Sequence, residues 1–333
     1  MITVLTATTT ERIVSGLLAA EGAGGSRVLT LVIGTDGAGL EAALEAAHGA
    51  SLDHPCRIIA VVAPPPPAGP PGPRSRDGHV RADVPGHLDA EIRVGHDAGA
   101  GETLVLRPWG VAAEHTDTLV VPFLLPDVPV VAWWPAAPPP VPAADPLGRL
   151  ASTRITNTPS QPDPSAALVA LAPGFERGDI DLAWTRITLW RAIVASTLDP
   201  VLRAGGVRSM VVAGQRANAS LSLMVRWLRL RLGVPVERAD VEDFIGIARI
   251  AALTADGELV IERTDSERVL ITRPDGSRPQ VVTMPRREPV TTLNEELRRL
   301  SPDLVYQEVL TAFAADHGCR VATPGTEAAC SND

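Results

Sequence analysis

The 333-residue sequence predicts an α/β unit with a mainly parallel sheet, followed by an α+β unit with an antiparallel meander. Three observations predict this. Early apolar runs are continuous rather than alternating, as strands covered on both faces require. Those runs alternate with an Ala-rich helical segment. Late in the chain, short strand-like runs are separated by Asp-Gly turns at Asp256-Gly257 and Asp275-Gly276.

Segment 27–34 reads as a buried strand, 38–50 as a helix and 57–63 as a second buried strand. The stretch 64–87 is dense in Pro, Gly and Arg and reads as a mobile surface loop. Strands at 89–94 and 103–106 follow, then a helix at 111–118 and a strand at 129–133 that stops at Pro135. RITN at 154–157 is a further strand candidate. Over 179–198 the apolar residues Ile180, Ala183, Trp184, Ile187, Val194 and Leu198 recur at a helical period, predicting one central helix. Beyond it come a strand at 207–212, a helix at 217–232, meander strands at 245–253, 258–263, 268–272 and 280–284, and helices at 292–300 and 302–315. The expected domains are 1–160 and 161–318, with 319–333 as a disordered tail.

A formal net charge of −9 argues against a general nucleic-acid or membrane-surface role, since both need a basic footprint. All 30 basic residues are Arg, so no Schiff-base or P-loop lysine exists. Cys56, Cys319 and Cys330 offer neither a CxxC nor a metal pattern, and their odd number suits a reducing, cytoplasmic setting. None of the seven histidines forms a recognisable metal pair, so no metal or cofactor is expected.

The best enzyme-like feature is the GxGxxA of Gly37, Gly39 and Ala42 within the 34–42 loop. Glycines there let a backbone approach a pyrophosphate at a helix N-terminus. Asp36 directly precedes the loop, however, and the second strand ends without an acidic residue to hold a ribose. The most informative segment is DLAWTRITLWR, in which Asp181, Trp184, Arg186, Trp190 and Arg191 combine indoles with guanidinium groups. Arg is costly to bury unless paired or stacked. The segment is therefore either an internal Arg–carboxylate network or a surface for an anionic ligand or a partner. Tandem Trp133 and Trp134 at a strand end send their rings to opposite faces, as core or as crevice lining.

Ordered blocks run along the chain: RVLTLVI at 27–33, HPCRII at 54–59, DAGAGE at 97–102 and PFLLPDVPVVAWWP at 122–135. DPLGRLASTRIT at 145–156, DLAWTRITLWR at 181–191 and ELRRLSPDLVY at 296–306 continue the series. With these blocks the chain resembles the OpcA family of glucose-6-phosphate dehydrogenase assembly proteins. The resemblance implies a non-catalytic partner that binds that dehydrogenase and promotes its assembly or allosteric activation in the oxidative pentose phosphate pathway. It brings no catalytic residue and no cofactor of its own. The alternative from a different class is a sugar-phosphate or nucleotide-binding α/β enzyme using the 34–42 loop.

Overall fold

The computed structural model describes residues 1–20, 27–65, 86–99, 101–321 and 329–330. The chain divides into two compact units, Met1–Thr156 with Pro289–Pro302 and Asn157–Glu288 with Asp303–Asp333.

The first unit opens with β1 (Ile2–Leu5) and α1 (Thr10–Ala20), continues through β2 (Leu29–Thr35), α2 (Leu40–Ser51) and β3 (Cys56–Val62), and adds β4 (His87–Val94) and β5 (Glu102–Trp109). Short α3 (Thr116–Val120), β6 (Val130–Trp134), α4 (Pro146–Arg149) and β7 (Thr153–Thr156) complete its first segment. Within this unit the strand order is β1-β4-β5-β3-β2-β6-β7. Pairings from β5 to β7 are parallel, whereas β4 runs antiparallel to both β1 and β5. All of β3, and β2 apart from half-buried Gly34, are buried, which explains why both read as unbroken apolar runs. Strand order reverses between β2 and β6, so the switch-point crevice of a doubly wound sheet falls at their C-terminal ends.

The unit's core gathers Ile13 and Leu17 of α1 with Val32, Ile59, Leu104 and Trp134 from the sheet. Cys56 is fully buried at the start of β3, and loss of hydration pushes its thiol pKa up to about 12. It is therefore expected to resist iodoacetamide at pH 8 in the native protein and to react on unfolding in urea, as mass spectrometry of the alkylated protein would read.

The second unit begins with α5 (Pro164–Leu171) and β8 (Asp179–Asp181), followed by α6 (Leu182–Arg186) and α7 (Thr188–Ala204). Its sheet contains β9 (Val207–Gln215), β10 (Val236–Val241), β11 (Ile247–Thr254), β12 (Glu258–Arg263), β13 (Arg268–Thr272) and β14 (Gln280–Thr283), with α8 (Ala219–Leu232) crossing from β9 to β10. Strands lie in the order β10-β9-β11-β12-β13-β14. The β9–β10 pair is parallel, and from β9 through β14 each neighbour is antiparallel. The meander is thus present.

Helix α9 (Pro289–Arg298) packs on α2 and so belongs to the first unit, although its sequence position lies within the expected second domain. The fit is close: a Cβ on Gly49 of α2 would strike the Val290 side chain. Helix α10 (Leu304–Asp316) lies in the second unit and packs on α8.

Three sequence expectations are corrected. No single helix covers 179–198. Asp181 caps α6 by accepting the Ala183 N–H at 2.8 Å, which makes the preceding residues strand, and the helix breaks at Ile187 (φ −96°, ψ 8°). Three β-branched residues, Thr185, Ile187 and Thr188, crowd that junction and weaken a continuous helix. The helix expected at 111–118 is a 3-10 turn over Gly110–Ala113 followed by the short α3. In the expected tail, β15 (Cys319–Arg320) and β16 (Ala329–Cys330) pair antiparallel, and Cys319 is disulfide-bonded. Of the Pro/Gly-rich stretch 64–87, residues 66–85 lie outside the described residues. Among the described residues no helix is long and apolar enough to cross a membrane.

Candidate functional site

The GxGxxA loop sits at the switch point, where its chemistry is already occupied. The Asp36 carboxylate accepts the Gly39 N–H at 2.6 Å, placing negative charge where a pyrophosphate would need the same donor. Beside it, the Trp134 indole lies so close to Gly34 that a Cβ there would sit 2.6 Å from its Nε1. Trp134 thus fills space at the strand ends, and it belongs to the core cluster. Trp133, on the other face of the strand, is also buried, and its Nε1 finds no hydrogen-bond acceptor among the described residues.

The DLAWTRITLWR segment is anchored from below by Asp181 and Trp184. Asp181 is fully buried and accepts from the Thr158 N–H at 2.9 Å and the Thr158 hydroxyl at 2.7 Å as well as from Ala183. Trp184 is 1% exposed, and its Nε1 donates to Asp303 Oδ2 at 2.9 Å. The same Asp303 side chain caps α10 through the Tyr306 N–H, so one carboxylate ties the motif to that helix. Tyr306 packs against both Trp184 and Phe175 with ring centroids 5.9 Å apart. Arg191 stacks its guanidinium 3.7 Å from the Trp184 ring centroid and donates to the Thr188 hydroxyl.

Arg186 and Trp190 face elsewhere. The break at Ile187 directs them to a pocket of about 380 Å³ built wholly within the second unit. Its walls come from the α6–α7 junction, the β9–α8 turn, the loop before β11, the end of β12 and the chain after β14. Gly214 in β9 allows the close approach of the Gly246 carbonyl that shapes one side, and a Cβ there would collide with it. Gln215 then receives the Asn218 side-chain amide at 3.2 Å and the Gly246 N–H at 3.1 Å. Asn218 caps α8, whose first turn lines the pocket.

Four guanidinium groups and one carboxylate line this pocket: Arg186, Arg263, Arg286, Arg287 and Glu288. Backbone carbonyls hold three of the arginines in place. Arg263 donates to Met284 O at 3.0 Å, Arg286 to Ile245 O at 2.5 Å and Arg287 to Thr185 O at 3.0 Å. Arg263 also lies over Trp190, 5.6 Å from the ring centroid. Among the described residues Arg186, Arg263 and Arg286 have no carboxylate at ion-pair distance. Burial lowers the pKa of Arg186, and burial together with the neighbouring Arg286 charge lowers that of Arg263. The Nε of Arg186 is buried without an acceptor.

Of the residues singled out in sequence, the fold brings Asp181, Trp184 and Arg191 together in one core, and Arg186 and Trp190 together in the pocket. Trp133 and Trp134 belong to the other unit. Arg263, Arg286 and Arg287 escaped notice because the pocket is assembled from distant segments. A buried ionic group in the first unit was missed as well. Glu102, 4% exposed, receives Arg57 Nε at 2.6 Å and pairs with Arg27, while Arg57 Nη1 donates to Phe123 O at 3.0 Å.

The class defined by these features is a two-unit protein that joins a doubly wound α/β unit to an α+β unit carrying a basic pocket. Residues 47–173 match the family model described as glucose-6-phosphate dehydrogenase subunit N-terminal domain, and residues 177–310 match the corresponding C-terminal domain. The two matches span most of the sequence: this chain belongs to the OpcA family of glucose-6-phosphate dehydrogenase subunits. A relative from Synechococcus elongatus, named as a putative OxPP cycle protein OpcA, is 28% identical over 139 residues. That match covers 40% of this chain and 31% of the relative's length. Among solved structures, a super-repressor mutant of Gal80p from Saccharomyces cerevisiae aligns with a TM-score of 0.47 at 8% identity, covering 87% of this chain and 94% of that one. Glucose-6-phosphate 1-dehydrogenase from Mycobacterium avium aligns with a TM-score of 0.43 at 9% identity, covering 89% and 94%. Likenesses this remote bear on neither ligand nor activity.

Proposed function

We propose that this chain acts in the cytoplasm as a non-catalytic partner of glucose-6-phosphate dehydrogenase, promoting the enzyme's assembly or its allosteric activation. The observation that carries this reading is the match of both halves of the chain to domains described as subunits of that dehydrogenase. The 34–42 loop supports the enzyme alternative poorly, because Asp36 holds the Gly39 N–H that a phosphate would require. An effector of this kind must bind one state of its partner more tightly than another, typically by about 1–3 kcal/mol.

The contact itself is assigned to the rim of the basic pocket. Trp184, Trp190 and Asp181 are buried and act as supports, while Arg186 and Arg191 keep part of their surface. Leu189 and Ile245 at the rim are 37% and 69% exposed, so apolar and guanidinium surface lie side by side, as in interface hot spots. Sedimentation velocity of the purified chain mixed with the dehydrogenase tests this. A faster-sedimenting complex is expected, and it should be lost with Leu189→Asp or Ile245→Asp in variants whose circular dichroism is unchanged. No complex with the unaltered chain would refute the partnership, and a complex indifferent to both variants would move the interface elsewhere.

A further inference from the structure

We propose that the basic pocket of the second unit is a binding site for a small phosphomonoester: a phosphate group on a compact organic body. Three guanidinium groups lining one concavity, those of Arg186, Arg263 and Arg286, have no carboxylate at ion-pair distance among the described residues, on a chain whose formal net charge is −9. A bound anion would stabilise such a concentration of like charge. The Arg286 charge lies close enough to lower the pKa of Arg263, and neither guanidinium has a carboxylate at ion-pair distance among the described residues. Arg186 carries a buried Nε with no acceptor. Guanidinium groups fixed side by side in one concavity are the arrangement by which arginines recognise phosphate, through paired charge-assisted hydrogen bonds.

Two more features favour phosphate on an organic body over a bare ion. The first turn of the 14-residue helix α8 lines the same pocket, adding backbone N–H groups and the positive end of a helix dipole. Apolar side chains line the pocket as well, with Leu189 and Ile245 exposed at its rim, and offer a surface for carbon. A volume of about 380 Å³ lies within the range of small-molecule sites and exceeds what phosphate alone would fill. Backbone carbonyls already fix Arg263, Arg286 and Arg287, so little side-chain entropy remains to be lost on binding.

Isothermal titration calorimetry on the full chain alone tests the site, with glucose 6-phosphate, inorganic phosphate and glucose as probes. Glucose 6-phosphate is expected to bind more tightly than phosphate, and glucose not at all. Arg186→Met and Arg263→Gln should each weaken glucose 6-phosphate binding by about tenfold or more. Without ligand, Arg186→Met should leave Tm unchanged or higher, because it removes a half-buried cation that has no partner. Failure of both phosphate probes to bind at millimolar concentration would overturn the proposal, as would glucose binding equal to that of its phosphate. Phosphate binding as tightly as glucose 6-phosphate would likewise overturn it, and so would full affinity in both variants. Since no dehydrogenase is present, the result stands apart from the partnership proposed above.

Discussion

Trp184→Ala is expected to destabilise the second unit by about 3–5 kcal/mol, the range for deleting a fully buried indole. The side chain is 1% exposed, and more than its volume is lost. Asp303 Oδ2 forfeits the indole N–H, Tyr306 forfeits a ring neighbour, and the Arg191 guanidinium forfeits the surface on which it stacks. Removing the indole therefore takes one donor from a carboxylate and opens a cavity beside a cation. Trp184→Phe separates these contributions. It keeps most of the apolar contact and loses the hydrogen bond to Asp303, so a cost nearer 1–3 kcal/mol is expected. Urea denaturation followed by circular dichroism measures both. Similar stabilities for the Ala variant and the unaltered chain would show that this indole does not organise the unit.

In the first unit, Glu102→Leu is expected to have a comparable effect. Glu102 is 4% exposed and stands between Arg57, itself 8% exposed, and Arg27. Removing the carboxylate takes from the buried Arg57 the charged acceptor of its Nε. Breaking a buried pair from one side costs about 3–5 kcal/mol, whereas replacing both partners by apolar groups of similar size is often nearly neutral. The double variant Arg57→Met/Glu102→Leu should therefore recover much of the loss. If single and double variants are equally unstable, packing rather than uncompensated charge governs this position.

The fold was legible where one element's own pattern sufficed. Strands β2 and β3 read as continuous apolar runs because both of their faces are covered, and the Asp-Gly turns marked the meander. What was lost depended on groups remote in sequence. The helix expected at 179–198 has the right apolar period, yet Asp181, held by Thr158 23 residues earlier, stands in extended backbone as the cap of a helix that starts after it. Nor does local pattern reveal that α9 packs on α2, since an amphipathic helix shows that it has a buried face without naming the surface that covers it.

The site was legible in half. Helical spacing places Arg191 on the face of Trp184, where it stacks, but it also sets Arg186 beside Trp190, whose ring is instead covered by Arg263. By contrast, Arg186 meets Arg263 and Arg286 only because three separate chain segments converge. The available signal was weak: an Arg-Arg pair at 286–287.

On the function proposed above, the chain acts through the dehydrogenase and performs no chemistry alone. Initial rates of purified glucose-6-phosphate dehydrogenase, measured over a range of glucose 6-phosphate concentrations with and without this chain, test it most directly. Added chain is predicted to raise kcat or lower KM, with no turnover by the chain alone. Superimposable rate curves, or NADP reduction by the chain in the enzyme's absence, would contradict that account.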